Sequence, residues 1–115
     1  MNLTLNQSLD LWRRSVVRSV RHVSQDFSAR QMAVLLTVYL TPPPDKVRGL
    51  AAELNISKPA ITRALDRLGE FGLFRRKPDE TDRRSIEVQL TVKGLVYLSE
   101  FSEMIIRSAG EALEE

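Results

Sequence analysis

The sequence contains no cysteine, a single histidine and no long hydrophobic run. Without cysteine it cannot form a disulfide, a thiolate metal site or a thiol redox switch. No apolar run approaches the roughly 18 residues that a membrane span needs. The N-terminus, MNLTLNQSLD, lacks the basic and apolar segments of a secretory signal. We therefore expect a cytoplasmic protein with no membrane partner.

Residues that would support catalysis are also scarce. The chain has no glycine-rich phosphate loop, no cysteine nucleophile and no paired carboxylates at a catalytic spacing. Asp79, Glu80 and Asp82 could suggest a cation site. Because Arg83 and Arg84 follow them in a turn, these carboxylates fit better as groups that shape a hairpin and orient its arginines. We predict no enzyme, no metal site and no cofactor.

Length and composition predict one domain over residues 1–115. A hydrophobic content of 43% and a charged content of 28% are typical of a globular protein. The formal net charge is only +2, but residues 57–84 contain eight Lys/Arg against five Asp/Glu. The excess positive charge therefore lies in one segment, and it favours contact between that segment and phosphate.

The first predicted helix spans about residues 5–25. Apolar residues recur on it every three or four positions and form one stripe, which includes Leu9, Trp12 and Val16. Most of its arginines lie off this stripe, and we interpret them as a solvated helix face. They are Arg13, Arg14, Arg18 and Arg21.

A second helix is predicted to begin after Ser28 and to end near Thr41. Ser28 can accept from the backbone N–H of Gln31, and Gln31 can return a bond to the N-cap. The prolines at 42–44 end the helix, because consecutive prolines lack the N–H donors that a helix needs.

Two short helices and a tight turn follow. The third helix covers Val47–Leu54, and residues 55–57 form the turn. Ser57 caps the fourth helix, whose second position is Pro59, where a missing N–H costs nothing. Gly72 is suited to the left-handed backbone conformation of the residue that ends this helix. Its core stripe is Ile61, Ala64, Leu65 and Leu68.

After Gly72 the apolar period changes from 3.6 to 2. Residues 73–78 and 85–90 are predicted to be paired strands, with the charged loop 79–84 as a wing. Thr91 is expected to cap a last helix over 92–115, which carries Leu98, Phe101 and Ile105 on one side. The predicted fold is mainly α with a small β-hairpin wing, a winged helix-turn-helix.

Polar and basic residues lie on the outward side of the fourth helix. If its core stripe faces inwards, Lys58, Thr62, Arg63 and Arg67 lie outside or at the edges. Arginine can bond guanine O6 and N7, and such a pair discriminates between bases by about 1–3 kcal/mol. Any amphipathic helix with a solvated charged face looks similar. The preceding turn and the following basic hairpin favour the interpretation that this helix binds in the major groove of DNA.

The predicted hairpin is rich in cations. An arginine at a loop tip can enter a narrow minor groove, where the potential is most negative. The neighbouring carboxylate of Asp82 could restrain such a guanidinium by a charge-assisted hydrogen bond. The alternative is an ordinary solvated turn. The cations are Arg75, Arg76 and Lys77 on entry to the hairpin, with Arg83 and Arg84 near its tip.

The motifs LAAELNISKPAITRALDRLGEFGLFRRKPDETDRR and IEVQLTVKG resemble the MarR family of bacterial winged-helix regulators. Especially specific are the Asp-x-Arg of the wing, Asp82–Arg84, and the Leu-Thr-x-x-Gly of residues 90–94. The resemblance implies that Arg84 reaches the minor groove and that Asp82 fixes it. It assigns Ser57, Lys58, Ala60, Thr62, Arg63 and Arg67 to the major groove, beside the wing cations Arg76, Lys77 and Arg83.

The resemblance further implies a homodimer in which segments 1–26 and 92–115 of each subunit intertwine. Two-fold symmetry then implies palindromic sites whose half-sites lie about 10–10.5 bp apart, or a multiple of that. Many family members have a further C-terminal helix, so this sequence resembles a short form. Its expected dimer interface comprises Leu9, Trp12, Val16, Leu98, Phe101 and Ile105.

Three functions follow as hypotheses. The first is a sequence-specific transcriptional regulator, expected to be a repressor, with double-stranded DNA and a second copy of itself as partners. The second is a winged helix used only for protein–protein assembly, which would not need the clustered wing cations. The third is a small enzyme or metal protein, and the sequence lacks the catalytic and metal-binding residues that it would need. The sequence leaves open whether a small-molecule effector exists.

Overall fold

The computed structural model describes residues 2–23, 25–82 and 84–114. Its described elements form two compact units. Phe27–Val96 is here called the helix-turn-helix unit, and Met1–Asp26 with Tyr97–Glu115 the terminal unit. The elements are α1 (Leu5–His22), α2 (Ala29–Leu40), β1 (Asp45–Lys46), α3 (Val47–Leu54), α4 (Lys58–Glu70), β2 (Phe74–Pro78), β3 (Ile86–Leu90) and α5 (Val92–Leu113).

The start of α2 confirms the predicted cap. The Ser28 hydroxyl accepts from the Gln31 N–H at 3.1 Å, and the Gln31 side-chain oxygen accepts from the Ser28 N–H at 2.8 Å. Both bonds satisfy N–H groups that the first turn of a helix leaves without partners, and a cap of this kind contributes about 1 kcal/mol. Three apolar residues of α2, Val34, Leu35 and Val38, are buried in the core.

The predicted bounds of α3 and the turn after it are confirmed. Asn55 ends α3 with φ 54°, a left-handed conformation that asparagine tolerates better than most residues. Ser57 then caps α4, its hydroxyl accepting from the Ala60 N–H at 3.2 Å, and Pro59 lies in the first turn. Gly72 has φ +73°, as expected for the residue that redirects the chain after this helix. The predicted core stripe Ile61, Ala64, Leu65 and Leu68 is buried.

The sheet has three strands in the order β1–β3–β2, all antiparallel, so the predicted hairpin is confirmed but incomplete. Val88, in the central strand, lies opposite Asp45 on one side and Arg76 on the other. β1 is only two residues long and follows three prolines. It is therefore too short to show the alternation by which a strand is recognised in sequence.

Thr91 and Gly94 fix the start of α5. The Thr91 hydroxyl accepts from the Gly94 N–H at 3.0 Å and donates to the carbonyl oxygens of Gly72 and Leu73 at 2.6 and 3.0 Å. A Cβ on Gly94 would lie 2.7 Å from Leu90 Cδ1 and closer still to the Leu73 carbonyl oxygen. The spacing of the Leu-Thr-x-x-Gly motif therefore has a steric cause, because only glycine allows this close approach.

In the terminal unit, α1 ends earlier than predicted. The helix stops at His22, and Val23 is extended, with φ −109° and ψ 129°. The apolar stripe misled the prediction because Val23 continues its spacing without being helical. Thr4 and Gln7 form a capping box at the other end. No helix in the described residues is long and apolar enough for a membrane span.

Candidate nucleic-acid interface

The N-terminal half of α4 presents an exposed polar surface, as predicted. Lys58, Thr62 and Arg63 are exposed, while the intervening core stripe faces the interior of the helix-turn-helix unit. Lys58 and Arg63 form no ion pair within 4.0 Å with any other described residue. The two cations are therefore available to an outside partner, and the short Thr62 side chain lies between them in sequence.

Ala60 was wrongly assigned to this surface. Its exposed fraction is 5%. It precedes Ala64 by one helical turn, and therefore belongs to the buried side of α4 rather than to the outward side. What Ala60 offers near the surface is its backbone N–H, and that N–H already bonds Ser57.

Ser57 is exposed, but its hydroxyl oxygen is engaged as the N-cap of α4. A helix N-terminus still has further N–H groups that favour an anion. A phosphate that binds near Ser57 would therefore contact the first turn of α4 as a whole rather than this hydroxyl alone.

Arg67 is fixed by neighbours on its own helix and just beyond it. Its guanidinium carbon lies 4.7 Å from the centre of the Phe71 ring, and its Nη1 lies 3.5 Å from Glu70 Oε2. Phe71 in turn contacts Phe27 edge to face, with 5.5 Å between ring centres. These contacts orient Arg67 and partly neutralise it, so it is less available to a ligand than Arg63.

The wing strands add a second group of exposed cations. Arg75, Arg76 and Lys77 on β2 are all exposed. Arg76 Nη2 lies 2.7 Å from Asp66 Oδ1, and this ion pair connects the wing to the outward side of α4. The pair neutralises Asp66, which is the one carboxylate in the middle turns of α4. The sequence gave no sign of this pair, because the pairing depends on tertiary packing.

The wing loop is shaped by Asp79. Its carboxylate accepts from the N–H and hydroxyl of Thr81, each at 2.9 Å, and forms an ion pair with Lys46 Nζ at 2.7 Å. The Lys46 ammonium is the main reason that the pKa of Asp79 is well below its usual value, with the Thr81 bonds acting in the same direction. Asp79 therefore shapes the hairpin, as predicted for the loop carboxylates.

Asp82 contacts the backbone of Arg84 rather than its guanidinium. Its carboxylate accepts from the Arg84 N–H at 3.0 Å and from the Ser85 hydroxyl at 3.3 Å. Within the described residues it forms no ion pair with the Arg84 side chain, which corrects the expectation that Asp82 restrains that guanidinium directly. The carboxylate closes a local turn, and the exposed Arg84 side chain is left free to extend. Arg83, also assigned to the wing, lies outside the described residues.

The residues predicted for a dimer interface divide into two groups. Leu9, Trp12 and Val16 of α1 are exposed, with Trp12 at 64%. On α5, Ile105 is exposed and Phe101 is half-buried. Leu98 is only 6% exposed and cannot offer its side chain to a partner. Heptad-like spacing identified the apolar face of α5. It could not show which apolar residues of that face are already buried within the same chain.

No group of His, Asp or Glu side chains suited to a metal ion is found across residues 2–23, 25–82 and 84–114. The arrangement in the helix-turn-helix unit is one of exposed cations on a helix and an adjacent hairpin. Such an arrangement can bind a phosphate backbone and read base edges.

Comparison with known proteins agrees with this geometry. The model of the MarR family matches residues 27–86. Among solved structures, the transcriptional repressor CouR bound to a 23-mer DNA duplex is 25% identical, with a TM-score of 0.75 over 94% of this chain and 73% of that one. A MarR transcriptional regulator from Methanosarcina mazei Go1 is 27% identical, with a TM-score of 0.68 over 90% and 73%.

An S. aureus MepR mutant bound to an oligodeoxyribonucleotide is 17% identical and has a TM-score of 0.80 over 94% of this chain and 77% of that one. At this identity the likeness concerns the fold alone. Together with the elements described above, it confirms the predicted winged helix-turn-helix.

Proposed function

The chain belongs to the MarR family of DNA-binding transcriptional regulators, and we propose that it acts as a homodimeric, sequence-specific repressor on palindromic sites. We further propose that it acts in the cytoplasm, where its DNA target is accessible. No effector is assigned.

One observation carries this proposal. The helix-turn-helix unit presents exposed cations on both α4 and the wing, and five of them form no ion pair within 4.0 Å among the described residues. Burying such cations against phosphate releases condensed counterions, which is the main source of non-specific affinity for DNA. The cations are Lys58, Arg63, Arg75, Lys77 and Arg84.

The two sets of cations are proposed to have different roles. Arg63, beside Thr62 on α4, is assigned to base edges in the major groove, because a helix fits that groove and arginine matches guanine. Arg84 is assigned to the minor groove or its phosphates, because it extends from a hairpin turn. Ser57, Lys58 and Lys77 would contact the backbone and fix the register of the helix.

The homodimer is proposed from the surface of the terminal unit. Leu9, Trp12 and Val16 follow one another at helical spacing and are all exposed. A contiguous apolar stripe of this kind is typical of an interface. If two copies pair about a two-fold axis, they present two recognition helices to successive turns of the duplex.

Repression is proposed by analogy with CouR, which is described as a repressor. A dimer that covers a palindrome within a promoter would compete with the transcription machinery for the same DNA.

Selection of bound duplexes from a random pool, followed by titration at several salt concentrations, tests the proposal. We expect palindromic sites and a log–log salt slope to which each neutralised phosphate contributes about 0.9. Arg84→Ala should flatten the slope by about one unit if it contacts a phosphate. Arg63→Ala should relax the base preference, by about 1–3 kcal/mol at one position, more than it weakens non-specific binding.

Arg30→Ala provides the control, because Arg30 is exposed at the start of α2, away from α4 and the wing in sequence. Its affinity and slope should match those of the unaltered chain. Salt-independent association, or failure to enrich any duplex, would favour the protein–protein assembly module instead.

A further inference from the structure

The terminal unit contains a second cationic feature, a groove of about 340 Å³ between α1 and α5. The sequence alone suggested that the α1 arginines form a solvated face. The structure instead brings them together with an arginine of α5 around one concave site, here called the arginine groove. Its lining residues are Arg13, Arg14, Val17, Arg18, Arg21, His22 and Arg107.

Three of the four α1 arginines of the groove lie on a different side of the helix from the apolar stripe. Arg14, Arg18 and Arg21 are separated by four and three residues, so they share one helix face. At 3.6 residues per turn, that face is roughly opposite the stripe of Leu9 and Trp12. Covering the stripe therefore does not in itself cover these three arginines, whereas Arg13, four residues after Leu9, lies at the edge of the stripe.

Two nearby carboxylates pair with part of the positive charge of the groove. Asp10 bonds Arg13 and Arg14, with N–O distances between 2.8 and 3.1 Å. Glu111 pairs with Arg18 and lies 3.6 Å from Arg14 Nη1. These two carboxylates pair with three of the five guanidinium groups that line the groove. Two further carboxylates, Glu100 and Glu103, line an adjoining pocket that shares Arg18, His22 and Arg107.

Arg21 and Arg107 are the remaining two guanidinium groups of the groove. Neither forms an ion pair within 4.0 Å with a residue that the structure describes. The charge of Arg107 nevertheless contributes, after that of Arg18 and Arg14, to lowering the pKa of Glu111. Both side chains are exposed at the groove, so an outside anion can reach them.

The inner wall of the groove is already ordered. Arg18 Nη1 donates to the Ser108 hydroxyl at 2.7 Å, and its Nη2 donates to the Glu111 carboxylate. Ser108 has no exposed surface and donates in turn to the Met104 carbonyl oxygen at 2.7 Å. A guanidinium held in this way loses little further side-chain entropy when an anion arrives.

We propose that the arginine groove binds the dianionic phosphate group of a small molecule, either inorganic phosphate or a phosphomonoester. Planar guanidinium groups match the oxygens of a phosphate in pairs, and two exposed guanidinium groups without an ion pair among the described residues favour a dianion over a single carboxylate. The site is built only from the terminal unit, so it does not depend on the proposed DNA-binding function.

His22 gives the experiment a local reporter, because it lines the groove and is the only histidine in the chain. Its imidazole Hε1 resonance is followed by NMR in the full chain at fixed pH and matched ionic strength. The added salts are sodium phosphate, glycerol 3-phosphate, sodium acetate and sodium chloride. We expect a saturable shift with phosphate, and a weaker or non-saturating response to acetate and chloride.

The two phosphate arms distinguish the sources. Tighter binding of glycerol 3-phosphate than of inorganic phosphate assigns the site to a phosphomonoester, and the reverse order assigns it to the free ion. Arg21→Gln and Arg107→Gln should each weaken phosphate binding about tenfold, as expected for the loss of a charged hydrogen bond. Arg30→Gln, an exposed change in the helix-turn-helix unit, should leave the response unaltered.

A shift that is equal for chloride and phosphate, or that is unchanged in both groove variants, overturns the proposal. A separate DNA titration in phosphate-free buffer tests the other source of phosphate. If Arg21→Gln and Arg107→Gln weaken duplex binding more than Arg30→Gln does, the groove contacts the DNA backbone instead, which also overturns the proposal.

Discussion

The two units of the chain bury their apolar side chains to very different extents. The helix-turn-helix unit encloses a continuous core that includes Leu35, Ile61, Leu65 and Leu68, all at most 1% exposed. Among the described residues of the terminal unit, the buried apolar ones are Leu98 and Ala112. Its larger apolar side chains lie largely on the surface of α1 and α5. They include Leu5, Leu9, Trp12, Val20, Ile105 and Ile106.

This difference indicates what each unit needs in order to be stable. A unit with its own core gains free energy from burial within one chain. A helical unit that leaves its apolar stripe exposed gains most of that free energy only when another surface covers it. The folding of such a unit then depends on protein concentration, as in an obligate dimer. The following predictions test this contrast.

Leu65→Ala is expected to have the largest effect. It removes a buried side chain from a closed core and should lower the free energy of unfolding by about 2–5 kcal/mol. The measurement is urea denaturation followed by circular dichroism. Leu9→Ala, the same change at an exposed site, should cost far less at low protein concentration. Equal losses at the two sites would contradict the contrast between the units.

Trp12→Asp should act on association. Trp12 is the largest exposed apolar side chain of α1, and tryptophans at the centre of an interface commonly contribute about 2 kcal/mol or more to binding. We expect sedimentation to show dimer for the unaltered chain and monomer for Trp12→Asp at the same concentration, with helix content retained in the variant. A dimer that survives the change would place the interface elsewhere.

Two glycines of α5 provide a matched pair, one in each unit. Gly94→Ala should destabilise the protein by about 1–3 kcal/mol, because a Cβ there clashes with Leu73 and Leu90. Gly110 has nothing within 4 Å of the same position, so Gly110→Ala should stabilise the helix by up to about 1 kcal/mol. Thermal melts at one protein concentration measure both. A loss at Gly110 would indicate that this face of α5 is covered in the assembled protein.

The smallest expected effect is an acid-dependent one. The pKa of Asp79 is lowered chiefly by Lys46, and that of Glu111 chiefly by Arg18. Because the folded-state pKa is lower than the unfolded one, each group stabilises the fold above the unfolded value. That contribution is lost as the pH falls from about 5 through the folded value. Asp79→Asn and Glu111→Gln should each flatten the decline of Tm over this range. Unchanged pH profiles in both variants would contradict these ion pairs.

The elements of the helix-turn-helix unit were largely predictable from sequence because their signals are local. Ser28 with Gln31, Ser57 with Pro59, and Gly72 each act within a few residues, and each was confirmed. The missed features were non-local or too short to show a pattern. β1 depends on pairing with β3, and the Arg76–Asp66 and Lys46–Asp79 pairs depend on how separate elements pack.

The candidate site was predicted in outline but not in every residue. Helical spacing correctly indicated that Lys58, Thr62 and Arg63 face outwards. The same spacing places Ala60 one turn before Ala64, on the buried side, although the resemblance assigned it to the major groove. Spacing could not show that the carboxylate of Asp82 bonds the backbone of Arg84, since a one-dimensional pattern contains no side-chain rotamers. The arginine groove escaped notice because Arg107 is distant in sequence from the α1 arginines.

The ion pair between Asp66 and Arg76 holds a wing cation that would become available to DNA if its carboxylate partner were removed. A single-base change that turns Asp66 into asparagine would release the Arg76 guanidinium without adding any basic residue to the chain. Natural selection could then raise the sequence-independent affinity for DNA by removing a negative charge. The reverse mutation would lower that affinity again. Affinity for the duplex would thus be adjustable in evolution at a position that need not touch a base.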